Sequence, residues 1–465
     1  MEKKMNAAEL EAAIPTFDGL VVRSGVKVSA RIIEAGKRLR VIGRAGAGVD
    51  NIDTAAATRC GVVVMNTPGG NTAAAAELTM SLIMSLARSI PAACASLKGG
   101  AWERSAYSKG TELKGKSIGV VGLGQIGRSV AQLCKAMGMT PLGYDPMLSP
   151  EDKAALAAAG VKVVGLEDIY KQSDFITVHT PLVEATKNLL CAATFAKCKK
   201  GVFIVNAARG GIVNEDDLLA ALTSGQVKGA ALDVYSVEPP TAASRALLQH
   251  PAVLCTPHLG ASTEEAQKKV AEEIAVQMCD AFEGVRYYGV VNAGHLGLAS
   301  KDSFKPFVVL GERLGALQGQ VLLSSLVDGQ QPRLPKGTKV RIEVEGAELG
   351  QKGAAELIKA AVLKGLLPAL PLVEFEGESV NLVNAPGLAA STGLEVSVST
   401  SATAGAFRDV VRVVVTPPSG TGERTVVGSL IDSVGKVVQM DFWQNFPAFE
   451  PSGHIRECLP AAHTH

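Results

Sequence analysis

The stretch KSIGVVGLGQIGRSVAQLCKAMGM, residues 116–139, constrains the fold more than any other part of the chain. An apolar run leads directly into three glycines at GxGxxG spacing, Gly122, Gly124 and Gly127, and then into a pattern of helical period. A strand that turns on glycines into a helix opens a βαβ unit. The alternation continues downstream. DFITVHTP from 174, VFIVN from 202, GAALDV from 229 and AVLCTPH from 252 are short apolar runs, separated by helical segments such as EDDLLAALTSG at 215–225. Strands that are apolar at every position are buried on both faces, as in a parallel sheet with helices on each side. A doubly wound domain is expected. Before it, GLVVRSG (19–25), LRVIGRAGAG (39–48) and GVVVMNTP (61–68) are three more strand candidates, which make a second, smaller parallel-sheet unit.

After GVVNAGHLG (289–297) the composition changes to strands that alternate in polarity, KVRIEVE (339–345), LEVSVST (394–400), DVVRVVV (409–415) and KVVQMDFW (436–443), around a helix at about 353–367. The expected fold class is α/β: two Rossmann-like doubly wound parallel-sheet domains plus a C-terminal α+β domain. The expected division is 1–70 with 259–293, 71–258, 294–455, and a tail at 456–465. NTAAAAELTMSLIMSLARSI (71–90) is small or apolar nearly all round, so as a helix it is buried between bodies, as a hinge or a subunit contact. ASTEEAQKKVAEEIAVQMCDAFEG (261–284) reads as a long helix opened by Ser262 and Glu265 in capping-box spacing, returning the chain to the first unit.

A chain of 465 residues is too long for a single core. Its 46 basic and 45 acidic residues leave a net charge of +1, so no bulk attraction to nucleic acid or anionic lipid is expected. Small molecules and further copies of the chain are the expected partners. The eight cysteines and seven histidines show no CxxC and no metal-type spacing, which points to reduced thiols and no metal site. The start, MEKKMNAAELEAA, lacks a signal-like apolar core, and no apolar stretch approaches a membrane span, so a soluble, cytoplasmic protein is expected.

The GxGxxG turn, with Gln125 and Ile126 between its last glycines, follows a strand, opens a helix and meets Asp145 about 18 residues on. Glycines let the backbone approach a pyrophosphate, the helix N-terminus faces its charge, and a carboxylate at that distance accepts both ribose hydroxyls. The carboxylate repels a 2′-phosphate, and Pro146 and Met147 supply no cation, so NAD is expected rather than NADP.

Ligands of parallel sheets sit at the carboxyl ends of the strands. Arg209 follows VFIVN, Glu238 follows GAALDVYSV and His258 follows AVLCTP. An arginine fork binds a carboxylate through two hydrogen bonds, and a histidine oriented by a carboxylate takes a hydroxyl proton. Singly, an arginine after a strand is more often a cap and a histidine before Leu-Gly more often packing. Together, behind an NAD motif, they make a set. Cys255 reads as a buried strand thiol rather than a nucleophile.

NAARGGIVNEDDLLAAL, GAALDVYSVEPP and TPHLGAST resemble the signature segments of the D-isomer-specific 2-hydroxyacid dehydrogenase family, and the likeness covers residues 15–293. It implies Arg209, Glu238 and His258 as the catalytic set, with Arg209 clamping the substrate carboxylate, Glu238 orienting His258 and His258 as general base. It implies Gly122, Gly124, Gln125, Ile126, Gly127, Asp145, Thr180, Ala208, Asp233 and Gly260 around the cofactor, with Asp233 at the carboxamide. VVRSG, GRAGAGVDNID, VMNTPGGNTAAAAELT and WERSAYSKGTEL are similar to the branch that oxidises 3-phospho-D-glycerate to 3-phosphohydroxypyruvate, the first step of phosphorylated L-serine biosynthesis. That branch implies Arg23 and Arg44 at the phosphate, Asn71 in the substrate loop and Arg104 contributed across a dimer or tetramer. AVLKGLL (361–367) and VNLVNAPGLAASTG (380–393) resemble the intervening, allosteric substrate-binding domain of its longer members. Against those members the chain begins late, without a first strand, and ends without an ACT domain, so inhibition by serine through such a domain is not expected.

Two other readings stand beside this one. Arg209 recognises only the carboxylate end, which leaves room for 2-hydroxyglutarate, 2-oxoglutarate or another D-2-hydroxyacid. An NAD-sensing, corepressor-like binding protein would share the fold without turnover.

Overall fold

The computed structural model describes residues 5–324, 337–370, 380–401, 407–418, 422–441 and 447–451. The expected tail from 456, Cys458 and the Phe442–Trp443 end of the last strand candidate lie outside them. The chain forms two compact units, one running Gly69–Val270 and the other drawing on the chain up to Pro68 and from Ala271.

The strands are β1 Gly19–Val22, β2 Val41–Arg44, β3 Val63–Asn66, β4 Ser117–Val121, β5 Thr140–Tyr144, β6 Lys162–Val163, β7 Phe175–Val178, β8 Val202–Asn206, β9 Val227–Leu232 and β10 Val253–Cys255. They continue with β11 Lys339–Gly346, β12 Glu395–Ser401, β13 Asp409–Thr416, β14 Arg424–Ile431 and β15 Val434–Met440. In the Gly69–Val270 unit seven strands form one parallel sheet in the order β10-β9-β8-β7-β4-β5-β6. Alternate residues of β8 enter different cores: Val202 and Ile204 pack with Leu218 and Leu222 on one face, Phe203 and Val205 with Met80, Ile83 and Leu86 on the other. This explains a strand with no polar position before its last residue. Phe175 and Phe203 stack at 4.6 Å on the second face. Because β8, β9 and β10 are neighbours, the loops that follow them share one end of the sheet.

The other unit holds two sheets. β1, β2 and β3 are parallel, with Val22 opposite Arg44 and Arg44 opposite Asn66. An isolated antiparallel bridge, Met65 to Val290, meets the β3 edge. The second half of the helix Glu264–Phe282 lies on this sheet, its Met278 and Ile274 filling the space over Gly43. The second sheet, in the order β12-β11-β13-β14-β15, is antiparallel except for β11 with β12. Val340, Ile342 and Val344 of β11 point inward, toward Leu310 and Leu314 of helix Lys305–Ser324 and Leu357 and Ile358 of helix Ala354–Leu366.

Two expectations are corrected. The helix Glu264–Phe282 is capped one residue later than Ser262 and Glu265 imply, because the Thr263 hydroxyl accepts the Ala266 N–H at 3.1 Å. Cys255 is exposed rather than buried, since β10 is a short strand at the sheet edge. Strand β14 and the helix Lys305–Ser324 were not expected.

Candidate active site

The Arg209 loop is shaped by Asn206, the buried last residue of β8. Its amide donates to the Arg209 carbonyl at 2.8 Å, and its side-chain oxygen accepts the Ala208 N–H at 3.0 Å. The half-buried Arg209 donates from Nη1 to the Ala208 carbonyl at 2.6 Å. After β9, Asp233 is fully buried, and its carboxylate accepts three hydrogen bonds from the next strand end: the Thr256 hydroxyl at 2.6 Å, the Leu259 N–H at 2.7 Å and the Gly260 N–H at 2.9 Å. His258 sits inside that loop with φ +56, a conformation unusual for a residue with a Cβ. It is held there because its own N–H donates to the Asp233 carbonyl at 2.9 Å.

The His258 Nδ1 lies 2.7 Å from the Glu238 Oε2, both side chains facing the surface. A carboxylate only accepts, so Nδ1 carries the hydrogen and Nε2 keeps its lone pair. The structure thus brings Arg209, Glu238 and His258 to three adjacent strand ends. Two side chains that the sequence did not mark tie these loops: the Tyr235 hydroxyl donates to the Thr256 carbonyl at 2.9 Å, and Glu215 accepts the Ser236 N–H at 2.6 Å. The signal that could have flagged Tyr235 is its type, an apolar body with a polar tip just past a buried strand.

The glycine turn lies at the carboxyl end of β4. Gly122 has φ +92, and a Cβ on Gly127 would run into the Gly122 carbonyl, so strand and helix meet more closely than a side chain allows. No side chain caps the helix Gln125–Ala136, and the space over its cap residue Gly124 is open. Its first N–H groups are therefore available to an anion. Asp145 is held at the rim by the N–H groups of Leu123 and Met147, each at 2.9 Å. The hydroxyl of Thr180 and the side-chain oxygen of Asn71 are buried without a hydrogen-bond partner, which is costly unless a ligand supplies one. Gln125 accepts the Thr72 hydroxyl at 3.2 Å, joining the turn to the loop that carries Asn71. Open glycine, uncapped helix, rim carboxylate and orphaned oxygens together fit a dinucleotide. Just beyond β7, burial holds the His179 imidazole down at about 4, so it stays neutral, bonded to the Thr177 hydroxyl at 3.0 Å.

Three further arginines are expected at the substrate. Arg44 ends β2, half-buried, with a guanidinium bond to the Ala45 carbonyl, and Arg23 is exposed one residue past β1. Parallel pairing puts both at one edge of the three-stranded sheet. Arg104 is exposed in the turns between the helix Ile90–Lys98 and β4. Among the described residues no group of acidic, histidine and cysteine side chains is arranged to hold a metal.

Comparison with known proteins gives the family. The family model for the NAD binding domain of D-isomer specific 2-hydroxyacid dehydrogenases matches residues 80–260, and that for the D-3-phosphoglycerate dehydrogenase intervening domain matches residues 303–441. D-3-phosphoglycerate dehydrogenase of Homo sapiens is 48% identical over 400 residues, 86% of this chain and 71% of that protein. The protein of that name from Bacillus subtilis is 40% identical over 454 residues, 97% of this chain and 81% of its own length. Among solved structures, the TT0316 protein from Thermus thermophilus matches with a TM-score of 0.57 at 30% identity, over 62% of this chain and 90% of that one. An NAD-dependent formate dehydrogenase from Staphylococcus aureus, in complex with NAD, matches with a TM-score of 0.55 at 28% identity, over 61% and 86%.

Fold and likeness together define an NAD-dependent dehydrogenase of 2-hydroxyacids. More narrowly, the chain belongs to the D-3-phosphoglycerate dehydrogenase family.

Proposed function

We propose that the chain oxidises 3-phospho-D-glycerate to 3-phosphohydroxypyruvate with NAD, the first step of phosphorylated L-serine biosynthesis. The observation that carries the chemistry is the 2.7 Å bond between the His258 Nδ1 and Glu238, one strand end away from Arg209. NAD, when bound, supplies the two-electron acceptor for the hydrogen on the hydroxyl-bearing carbon. Its pyrophosphate is assigned to the turn Gly122, Gly124, Gln125, Ile126 and Gly127, its ribose to Asp145, and its nicotinamide end to Thr180, Ala208, Asp233 and Gly260. Arg209 binds the substrate carboxylate through its planar fork and fixes the adjacent carbon. The Nε2 of His258 takes the hydroxyl proton, and Glu238 stabilises the imidazolium that results. Asn71, with an unsatisfied oxygen, is assigned to the substrate; Arg23 and Arg44 are assigned to its phosphate.

We assign the working form to a dimer or tetramer, with Arg104 contributed to the neighbouring subunit. Supporting this, the helix Ile90–Lys98 buries none of its residues, while Ile90, Leu97 and Trp102 are 52%, 57% and 81% exposed. Cytoplasmic residence is supported by seven described cysteines that are all free thiols. No single helix among the described residues is long and apolar enough to cross a membrane.

The test is NADH formation at alkaline pH from 3-phospho-D-glycerate with the product trapped, beside 2-hydroxyglutarate and D-lactate. Turnover of the phosphorylated acid alone is expected. Turnover of 2-hydroxyglutarate at an equal or higher specificity constant would replace this substrate with that one.

A further inference from the structure

Tyr235 has no part in the proposed reaction, yet it bonds both to Glu238 and to the strand end that carries His258. The residue is 7% exposed. The hydroxyl donates to the Thr256 carbonyl at 2.9 Å, two residues before His258, with the Leu232 carbonyl at 3.2 Å as a second acceptor. Its backbone N–H donates to the Glu238 Oε1 at 3.1 Å, and the other oxygen of that carboxylate takes His258. The bonds therefore close a ring: from the Tyr235 amide through Glu238 to His258, then along the chain to Thr256 and back to the Tyr235 hydroxyl.

We propose that Tyr235 is a positioning residue, whose hydroxyl fixes the end of β10 against the end of β9 and so holds His258 at hydrogen-bond distance from Glu238. The proposal rests on the assignment of His258 and Glu238 as base and orienter. A buried tyrosine usually finds some acceptor, so a single bond would say little. The closed ring says more, because the same residue that grips the histidine's strand end also grips the carboxylate. Its anchorage is firm on the far side as well. The next residue, Ser236, donates its N–H to Glu215, which also accepts the Ser244 hydroxyl at 3.0 Å, and the Tyr235 carbonyl packs against the backbone of Gly210 beside Arg209. Burial pushes the phenol well above its ordinary range, so it remains a neutral donor wherever the enzyme works.

A phenylalanine fills the same space without the donor, so the test is a double-mutant cycle on the full chain with Tyr235→Phe and Glu238→Gln. Tyr235→Phe is expected to lower kcat about fivefold to tenfold, the loss of one buried hydrogen bond, while KM for 3-phospho-D-glycerate and the NADH dissociation constant from fluorescence titration stay within about twofold. In the Glu238→Gln background the same change should lower kcat by less than about twofold, because there is no longer a pair to align. Three results overturn the proposal alone: an unchanged kcat in Tyr235→Phe beside an impaired Glu238→Gln, a full loss that persists in the double variant, or a Tyr235→Phe protein that no longer binds NADH, which makes the residue a packing element. A Glu238→Gln enzyme with normal turnover would instead remove the acid–base assignment itself, and the proposal with it.

Discussion

The carboxyl ends of β8, β9 and β10 and those of β1 and β2 occupy the same topological position in two parallel sheets, but they are secured very differently. In the first, Arg209, Glu238 and His258 stand on loops fastened from below by groups out of reach of water: Asn206, Asp233 and Tyr235 are all less than a tenth exposed. Asp233 alone holds three points of the His258 loop, and charge-assisted bonds of this kind are the strong ones. In the second, Arg23 is exposed one residue past β1, its carbonyl held by the Asn51 amide at 3.1 Å, and Arg44 is half-buried at the end of β2, with a guanidinium bond to the Ala45 carbonyl. The stiff edge suits a reaction, where an error of an ångström costs rate. In the proposed reading the second edge selects among substrates by charge, where reach matters more than angle.

Three substitutions and one titration can break or sharpen this contrast. His258→Ala should lower kcat about a thousandfold while NADH binding measured by fluorescence persists, since a positioned general base contributes about 10² to 10⁴ in rate. Arg209→Lys keeps the charge but loses the fork, and kcat/KM should drop about 10- to 100-fold. Arg44→Ala should raise KM for 3-phospho-D-glycerate about tenfold with kcat within about twofold, because a phosphate contact away from the reacting carbon aids binding more than reaction. If kcat falls instead, the second edge is as much a part of the reacting geometry as the first.

The smallest effect concerns stability. The His179 imidazole is held at about 4 in the folded chain against an ordinary value of 6.5, so between those limits the unfolded chain takes up a proton that the folded one refuses. Stability should therefore fall as the pH drops from 6.5 toward about 4, by about 2 kcal/mol after allowance for residual exposure, and level off below. Urea unfolding across that range should show the loss, and His179→Gln should flatten it.

Much of this was legible in the sequence because burial writes itself into residue type. A strand buried on both faces, such as VFIVN, is apolar until its last residue, while β11, with one face on the core, alternates. The two patterns separate the doubly wound unit from the last sheet before any coordinates. The helix Lys305–Ser324 was missed because Gly311, Gly315 and Gly319 interrupt its apolar pattern; each faces the neighbouring helical segment 358–369, where close packing offsets the poor propensity. Strand β14 was missed for a similar reason: Gly428 breaks it, beside a register shift and beneath Leu310. The cap at Thr263 could not be told from Ser262, because adjacent hydroxyls offer the same chemistry and only backbone geometry selects one. At the proposed site, strand ends and motif spacing point to Arg209, Glu238 and His258. The supports beneath them are less visible, since Asn206, Asp233 and Tyr235 act mostly on backbone groups, which carry no sequence signature.

The most direct measurement compares kcat/KM for 3-phospho-D-glycerate and for D-glycerate, with NAD, in the wild-type chain and in Arg44→Ala. The expected result is a strong preference for the phosphorylated acid in the wild type that shrinks about tenfold in the variant, with the D-glycerate constant unmoved. Equal constants for the two acids in the wild type, or a fall of both together in the variant, would contradict the division between a reacting edge and a selecting one.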